Sequence, residues 1–177
     1  MRNRARTRLG RRSSEGADLE QIEAVYRRSV TRLRRVAAAI VGDREAALNA
    51  VQAGFSTAVR RRADYLGDGS LDAWAWRIVV NEARDARARL LARDGAGPES
   101  EPLDNGLAAR GDGARGEILN ALAELSERQR LVVFLRYFAD FDNPTIAHVL
   151  AISERTVSAT LNQAHPLLQE LLEGVSP

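Results

Sequence analysis

Arg155, Ser158, Ala159 and Asn162 recur at steps of three and four, so a helix would carry them on one face. A guanidinium and an amide can each offer paired hydrogen-bonding groups to a base edge, and small neighbours let a helix enter the major groove. The chemistry on offer is therefore the reading of DNA. Catalysis is not expected: the sequence has no glycine-rich phosphate loop, no serine or cysteine beside a plausible base, and no paired carboxylates outside solvated faces. Zero cysteines and two histidines leave little to hold a metal, and no cofactor site is visible. His148 and His165 read as surface or packing residues.

The elements around that face form a helix-turn-helix pattern. Asn143 reads as a side-chain cap and Pro144 as the first helical residue, where its missing N–H costs nothing. Ile146, Ala147, Val149 and Leu150 give this short helix an apolar face. Ala151-Ile152 supply the turn and Ser153 caps a second helix. Val157, Leu161, Ala164 and Leu168 form its inward stripe. The period alone would also suit an ordinary helical hairpin. Pro166 lies inside the stripe, where it removes a backbone bond and clashes with the Asn162 carbonyl at about 3 kcal/mol. A kink or restart is expected there, with Pro166 opening a last piece that runs to Leu172.

The rest of the chain also reads as helix, giving an all-α protein of two small helical domains joined by a linker. Asp18 with Gln21 opens a first helix that Gly42 ends, and Asp43 caps a second that closes at Arg60-Arg61-Arg62. Asp64 to Gly69 is a loop. Ser70 caps a third helix, apolar at its start and studded with arginine in its second half. Residues 94–116 contain six of the 13 glycines and two of the 5 prolines, which suits a flexible acidic linker. Beyond it come a short helix through Leu122 and a strongly apolar one, Leu131 to Phe138, opened by the box Ser126 to Gln129. The expected domains are 18–93 and 117–177, preceded by a disordered, solvated tail at 1–17.

All 26 basic residues are arginine, and the net charge of +2 conceals an asymmetry. Residues 1–17 carry +5 and 18–93 carry +4, whereas 94–116 carry −3 and 117–177 carry −4. The first half can meet phosphate by its net field and the second cannot. No apolar run reaches the length of a membrane span, and the arginine-bearing start is not a secretory signal. A cytoplasmic protein without a membrane contact is expected.

Two sets of fragments give a resemblance. In the first half stand Val41-Gly42-Asp43-Arg44-Glu45-Ala46, Val51-Gln52-x-x-Phe55, Ala73-Trp74-x-x-x-Ile78-x-x-Asn81 and Asp85-x-Arg87. In the second stand Leu125-Ser126-x-Arg128-Gln129-Arg130, Leu135-Arg136-Tyr137 and Ile146-Ala147-x-x-Leu150-x-Ile152-Ser153-x-x-Thr156-Val157. In this order, residues 18–173 resemble a bacterial RNA polymerase sigma factor of the extracytoplasmic-function (ECF) type in the sigma-70 family. The resemblance implies binding to core RNA polymerase and recognition of promoter DNA in transcription initiation. It places Asn81, Arg84 and Arg87 near the −10 element, and gives the loop with Asp64 and Tyr65 to a flipped base, read by its exposed edges. It turns Asn49, Gln52, Ala53 and Phe55 toward the polymerase clamp, and Arg155, Ser158, Ala159 and Asn162 toward the −35 element. The linker would thread toward the RNA exit channel. Trp74 reads as a core residue, and Trp76 as either core or stacking platform. An anti-sigma factor is a further partner that many family members have.

Departures from the family pattern carry expectations of their own. Leu48, Asn49 and Ala53 stand where acids are usual on the clamp-facing helix, which weakens electrostatic steering. Ala151 stands where glycine is usual, and a positive φ there would strain it. Thr145 stands where glutamate is frequent, and Arg155 where glycine is. With one arginine on the recognition helix, autonomous −35 binding should be weak. An alternative of another class keeps the fold but not the contacts: a sigma-like interaction protein, or a helix-turn-helix regulator acting without polymerase.

Overall fold

The computed structural model describes residues 16–93, 122 and 124–173, and all regular structure among them is helical. The acidic segment 94–116 and most of the tail lie outside the described residues. Six helices follow in order: α1 (Leu19–Val41), α2 (Arg44–Arg60), α3 (Leu71–Arg93), α4 (Glu127–Tyr137), α5 (Asn143–Leu150) and α6 (Glu154–Glu173). A single 3-10 turn, Arg62–Asp64, follows α2.

Local chemistry sets most of these boundaries. Asp18 accepts from the Gln21 backbone at 2.8 Å while the Gln21 side chain accepts from the Asp18 backbone at 3.0 Å, which satisfies two otherwise orphaned donors. Gly42, at φ 80°, terminates α1, a conformation that costs glycine nothing. Asp43, Ser70 and Ser153 each accept a backbone N–H three residues on. Ser126 and Gln129 repeat the reciprocal box at α4.

Two details differ from the sequence expectation. The α5 cap is Asp142, whose carboxylate accepts from Thr145 at 3.0 Å, so Asn143 begins the helix instead of capping it. The proline, moved one place inward, is still within the first turn, where no intrahelical donor is lost. Helix α6 continues through Pro166 without a restart. Pro166 and Asn162 both lie on the exposed face, so water can satisfy the carbonyl that the proline ring leaves unbonded.

The first half is a three-helix unit of α1, α2 and α3. Ile22, Val25, Leu33, Val51, Val79 and Val80 fill its centre, and Tyr26 meets Phe55 edge-on at 4.7 Å. Helices α2 and α3 approach closely at Gly54, where a Cβ would fall 2.7 Å from a Val79 methyl. In the second half, α6 packs across α4 and α5 through Val157, Leu161 and Ala164. Tyr137 and Phe138, expected to belong to the apolar face of α4, are instead 58% and 42% exposed at its end.

The two halves are packed together. Helix α5 lies on α3, α1 touches α4, and one continuous cluster of buried side chains runs through both. Trp76 sits at this seam, fully buried, with its ring edge-on to Phe141 at 5.0 Å. That decides between its two readings: it is core. Trp74 is half-buried, 5.8 Å from Tyr65. Arg32 donates to the Ala139 carbonyl at 2.9 Å, and Arg84 reaches Glu127 at 3.1 Å. Gly69 approaches the His148 ring closely enough that a Cβ would lie 3.4 Å from Nδ1.

Candidate nucleic-acid interface

The helix-turn-helix comprises α5, Ala151 to Ser153, and α6. Ala151 closes α5 in the left-handed region, at φ 53° and ψ 45°, and its N–H returns to the Ala147 carbonyl. The expected strain at that alanine is present. Helix α6 then starts from Ser153, whose hydroxyl accepts from the Thr156 N–H at 3.1 Å. Val157, Leu161 and Ala164 anchor its inner side. Arg155, Ala159 and Asn162 are exposed together on the opposite side, as their spacing requires. Ser158 is half-buried, and its hydroxyl accepts from the Asn143 amide at 3.1 Å. It braces the two helices as much as it faces outward.

The four cations of the second half are unequally placed. Arg130 is only 6% exposed and donates to the Leu122 carbonyl at 3.4 Å. Burial, and then the nearby Arg87, pushes its guanidinium below the ordinary arginine value. Arg136 donates to the Phe141 carbonyl at 3.0 Å. Arg128 and Arg155 are the exposed arginines there without such a bond among the described residues.

In the first half, Asn81 is exposed on α3. Arg84 is exposed but paired across the seam with Glu127. A cleft of about 580 Å³ opens beside this pair, lined also by Arg128, Leu150, Ile152 and Gln163. Arg87 is half-buried and donates to the Ile40 carbonyl at 3.2 Å, where a cation meets the negative end of α1. Asp64 pairs with Arg61 at 2.9 Å, and the Tyr65 hydroxyl donates to the Gly69 carbonyl at 2.9 Å. The loop is thus closed on itself, with Tyr65 half-buried against Trp74.

On α2, Asn49, Gln52 and Ala53 are exposed side by side with Leu48. Phe55 is not on that face. It is 7% exposed and packs on Tyr26, because it lies four residues after buried Val51 on the inward stripe of α2. Of the residues singled out by sequence, the structure therefore groups Arg155, Ala159 and Asn162 on one surface and Asn49, Gln52 and Ala53 on another. Glu127 and Phe141, which fasten the second half to α3, were not foreseen, since their partners Arg84 and Trp76 lie in the other half.

Family models for sigma-70 region 2 and for sigma-70 region 4 match residues 25–92 and 115–164, in that order and together over more than half of the chain. The chain belongs to the sigma-70 family. Over 167 residues this sigma factor is 29% identical to the ECF RNA polymerase sigma factor SigL of Mycobacterium tuberculosis H37Rv, across 89% of this chain and 92% of that protein. Among solved structures it resembles the sigma factor RpoE of Bartonella quintana, in complex with the anti-sigma factor NepR, with TM-score 0.68 at 23% identity over 88% of this chain and 98% of that one. It also resembles CnrH in complex with the cytosolic domain of CnrY, with TM-score 0.67 at 22% identity over 90% of this chain and 92% of that one. Those two likenesses concern the fold. The region 2 match falls on α1 to α3, and the region 4 match takes in α4, α5 and the first half of α6.

Proposed function

We infer that this ECF sigma factor binds core RNA polymerase and directs it to promoters, with region 2 at the −10 element and region 4 at the −35 element. The observation that carries this is the pair of outward surfaces held on one chain in family order. One is the face of α2 with Asn49, Gln52 and Ala53; the other is the α6 face with Arg155, Ala159 and Asn162. No helix among the described residues is long and apolar enough to cross a membrane, and the proposed site of action is the cytoplasm.

Reading both elements at once requires the halves to part. Elements 25 base pairs apart lie roughly 85 Å from each other along the duplex at 3.4 Å per step. The packed halves cannot cover that distance. The chain between Arg93 and Leu122 can, since its residues reach roughly 95 Å at full extension. Parting would free Arg84 from Glu127 and return it to the DNA-facing side of α3. An anti-sigma factor, the partner of the RpoE relative, would find the packed arrangement ready to hold.

Run-off transcription with reconstituted holoenzyme tests the reading, and a promoter-specific transcript is expected. Core polymerase that does not retain the protein on gel filtration would point instead to the interaction-protein alternative. The uncharged residues Leu48, Asn49 and Ala53 on the clamp-facing helix favour that alternative.

A further inference from the structure

The cap of α5 leaves one polar side chain available for other work. Asp142 accepts from the Thr145 N–H at 3.0 Å, so Asn143, the first residue of the helix, has no capping role. Its amide turns across the helix-turn-helix and donates to the Ser158 hydroxyl at 3.1 Å, with both side chains half-buried. The neighbouring hydroxyls are engaged within α6 and its cap. Ser153 and Thr156 bond each other at 2.7 Å, and the Thr160 hydroxyl donates to the Thr156 carbonyl at 2.7 Å.

The bond from Asn143 to Ser158 therefore runs between helices, and it is placed where it has leverage. The turn Ala151 to Ser153 joins α5 to α6 at one end. Asn143 lies at the opposite end of α5, roughly 12 Å away at 1.5 Å per residue. Two points of attachment set the angle between two rods; one does not. Ile146, Val149, Val157 and Leu161 all belong to the shared apolar core. Apolar contact is non-directional and leaves α6 free to roll a little about its axis, whereas a hydrogen bond is directional.

Roll matters because of what surrounds Ser158. Arg155 stands three residues before it and Asn162 four after, so both are its neighbours on the helix surface. Base edges are read through paired hydrogen bonds, and the groups that make them must be held to within about 0.5 Å.

We propose that Asn143 is a positioning residue for −35 recognition, holding α6 through Ser158 so that Arg155 and Asn162 meet their base pairs in register. Ser158 is then the acceptor of this strut and reads no base. The proposal rests on the promoter reading above and deepens it: specificity is set in part by a residue of the neighbouring helix that touches no DNA.

The test is run-off transcription by holoenzyme reconstituted with the full-length chain. It uses one active promoter and variants of it changed a single base pair at a time through the −35 element. Asn143→Ala should lower the transcript from the unchanged promoter by no more than about three-fold. Its discrimination against the altered −35 elements should fall by about three-fold, part of the loss that removing a base contact brings. Ser158→Ala cuts the same bond from the other side and should match it. The double variant should be no worse than either single one, as for two residues acting through one bond. Asn143→Asp keeps a bond, with the hydroxyl now donating to the carboxylate, and should keep the discrimination; its added charge weakens every promoter alike. Core polymerase should retain all four variants on gel filtration.

A transcript lowered equally on every −35 sequence overturns the proposal, since a merely structural role gives that result. Single effects that multiply in the double variant overturn it too. So does loss of core retention in both Asn143→Ala and Ser158→Ala, which would make the bond a requirement of folding. A wild-type chain that starts no transcript, or starts it whatever the −35 sequence, sinks the promoter reading and this role with it. Wild-type discrimination that survives both single alanine variants intact sinks the positioning role alone.

Discussion

The two halves use the same cation in opposite ways. Residues 18–93 contain fourteen arginines, enough to bind Arg28 to Asp72 and Arg32 and Arg87 to carbonyls while Arg60, Arg62 and Arg77 stay exposed. Residues 117–177 contain four, of which Arg130 is buried and Arg136 is tied to Phe141. The first half has charge to give to DNA. The second has little charge behind the exposed face of α6, so on the proposed reading its place on a promoter would come from the enzyme that carries it.

The sharpest way to break this contrast is to forbid the halves from separating. In a chain without cysteine, Arg84→Cys with Glu127→Cys gives one site for a short bifunctional crosslinker across the seam. Crosslinked protein should lose nearly all promoter-directed transcription, recovered on cleavage of the linker; full activity while linked would mean that the packed form is the working one. Next in size is Trp76→Ala, which empties the seam and should cost about 3–5 kcal/mol in chemical denaturation. If the halves were energetically independent, probes in the second half would not follow this change.

Arg155→Ala should lower transcription from a cognate promoter about ten-fold, as one lost base or phosphate contact of roughly 1–3 kcal/mol allows. Ser158→Ala should stay within about three-fold, because its hydroxyl is engaged by Asn143. Equal effects would remove Arg155 from the reading surface. Smaller still, Ala151→Gly relieves the left-handed alanine and should raise stability by about 1 kcal/mol, with sequence specificity unchanged.

The smallest effect concerns pH. Hydrogen bonds from the Thr145 side chain and backbone hold the Asp142 carboxyl below its usual value. A carboxyl depressed by folding lends stability above its unfolded value near pH 4, and that contribution fades as pH falls through the depressed value. Asp142→Asn should therefore be slightly less stable than wild type at neutral pH, with the difference closing as acid is added, as urea titrations at a series of pH values would show.

Much of this was legible in one dimension, and the reasons are local. Asp18, Gly42, Asp43, Ser70, Ser126 and Ser153 act within four residues of themselves, so their spacing states what they do. The left-handed turn at Ala151 could be anticipated because its geometry belongs to the turn itself. The shared exposure of Arg155, Ala159 and Asn162 was legible too, since helical period alone brings them together. What escaped was set by distant partners. Arg84 is occupied because Glu127 arrives from the other half, whereas Phe55, turned toward the clamp by the resemblance, lies inward with Ala47, Val51 and Ala58 as its own spacing requires. Pro166 misled for a different reason: the Asn162 carbonyl it leaves unbonded lies on the exposed face, within reach of water, and the helix runs on through it.

Trp76 has one more consequence. A wholly dry indole whose ring neighbour belongs to the opposite half becomes hydrated when that neighbour leaves, and its emission shifts to longer wavelength. Half-exposed Trp74 supplies a steadier background. Stopped-flow fluorescence of the unlabelled chain mixed with core polymerase would therefore time the parting directly, with the protein serving as its own gauge.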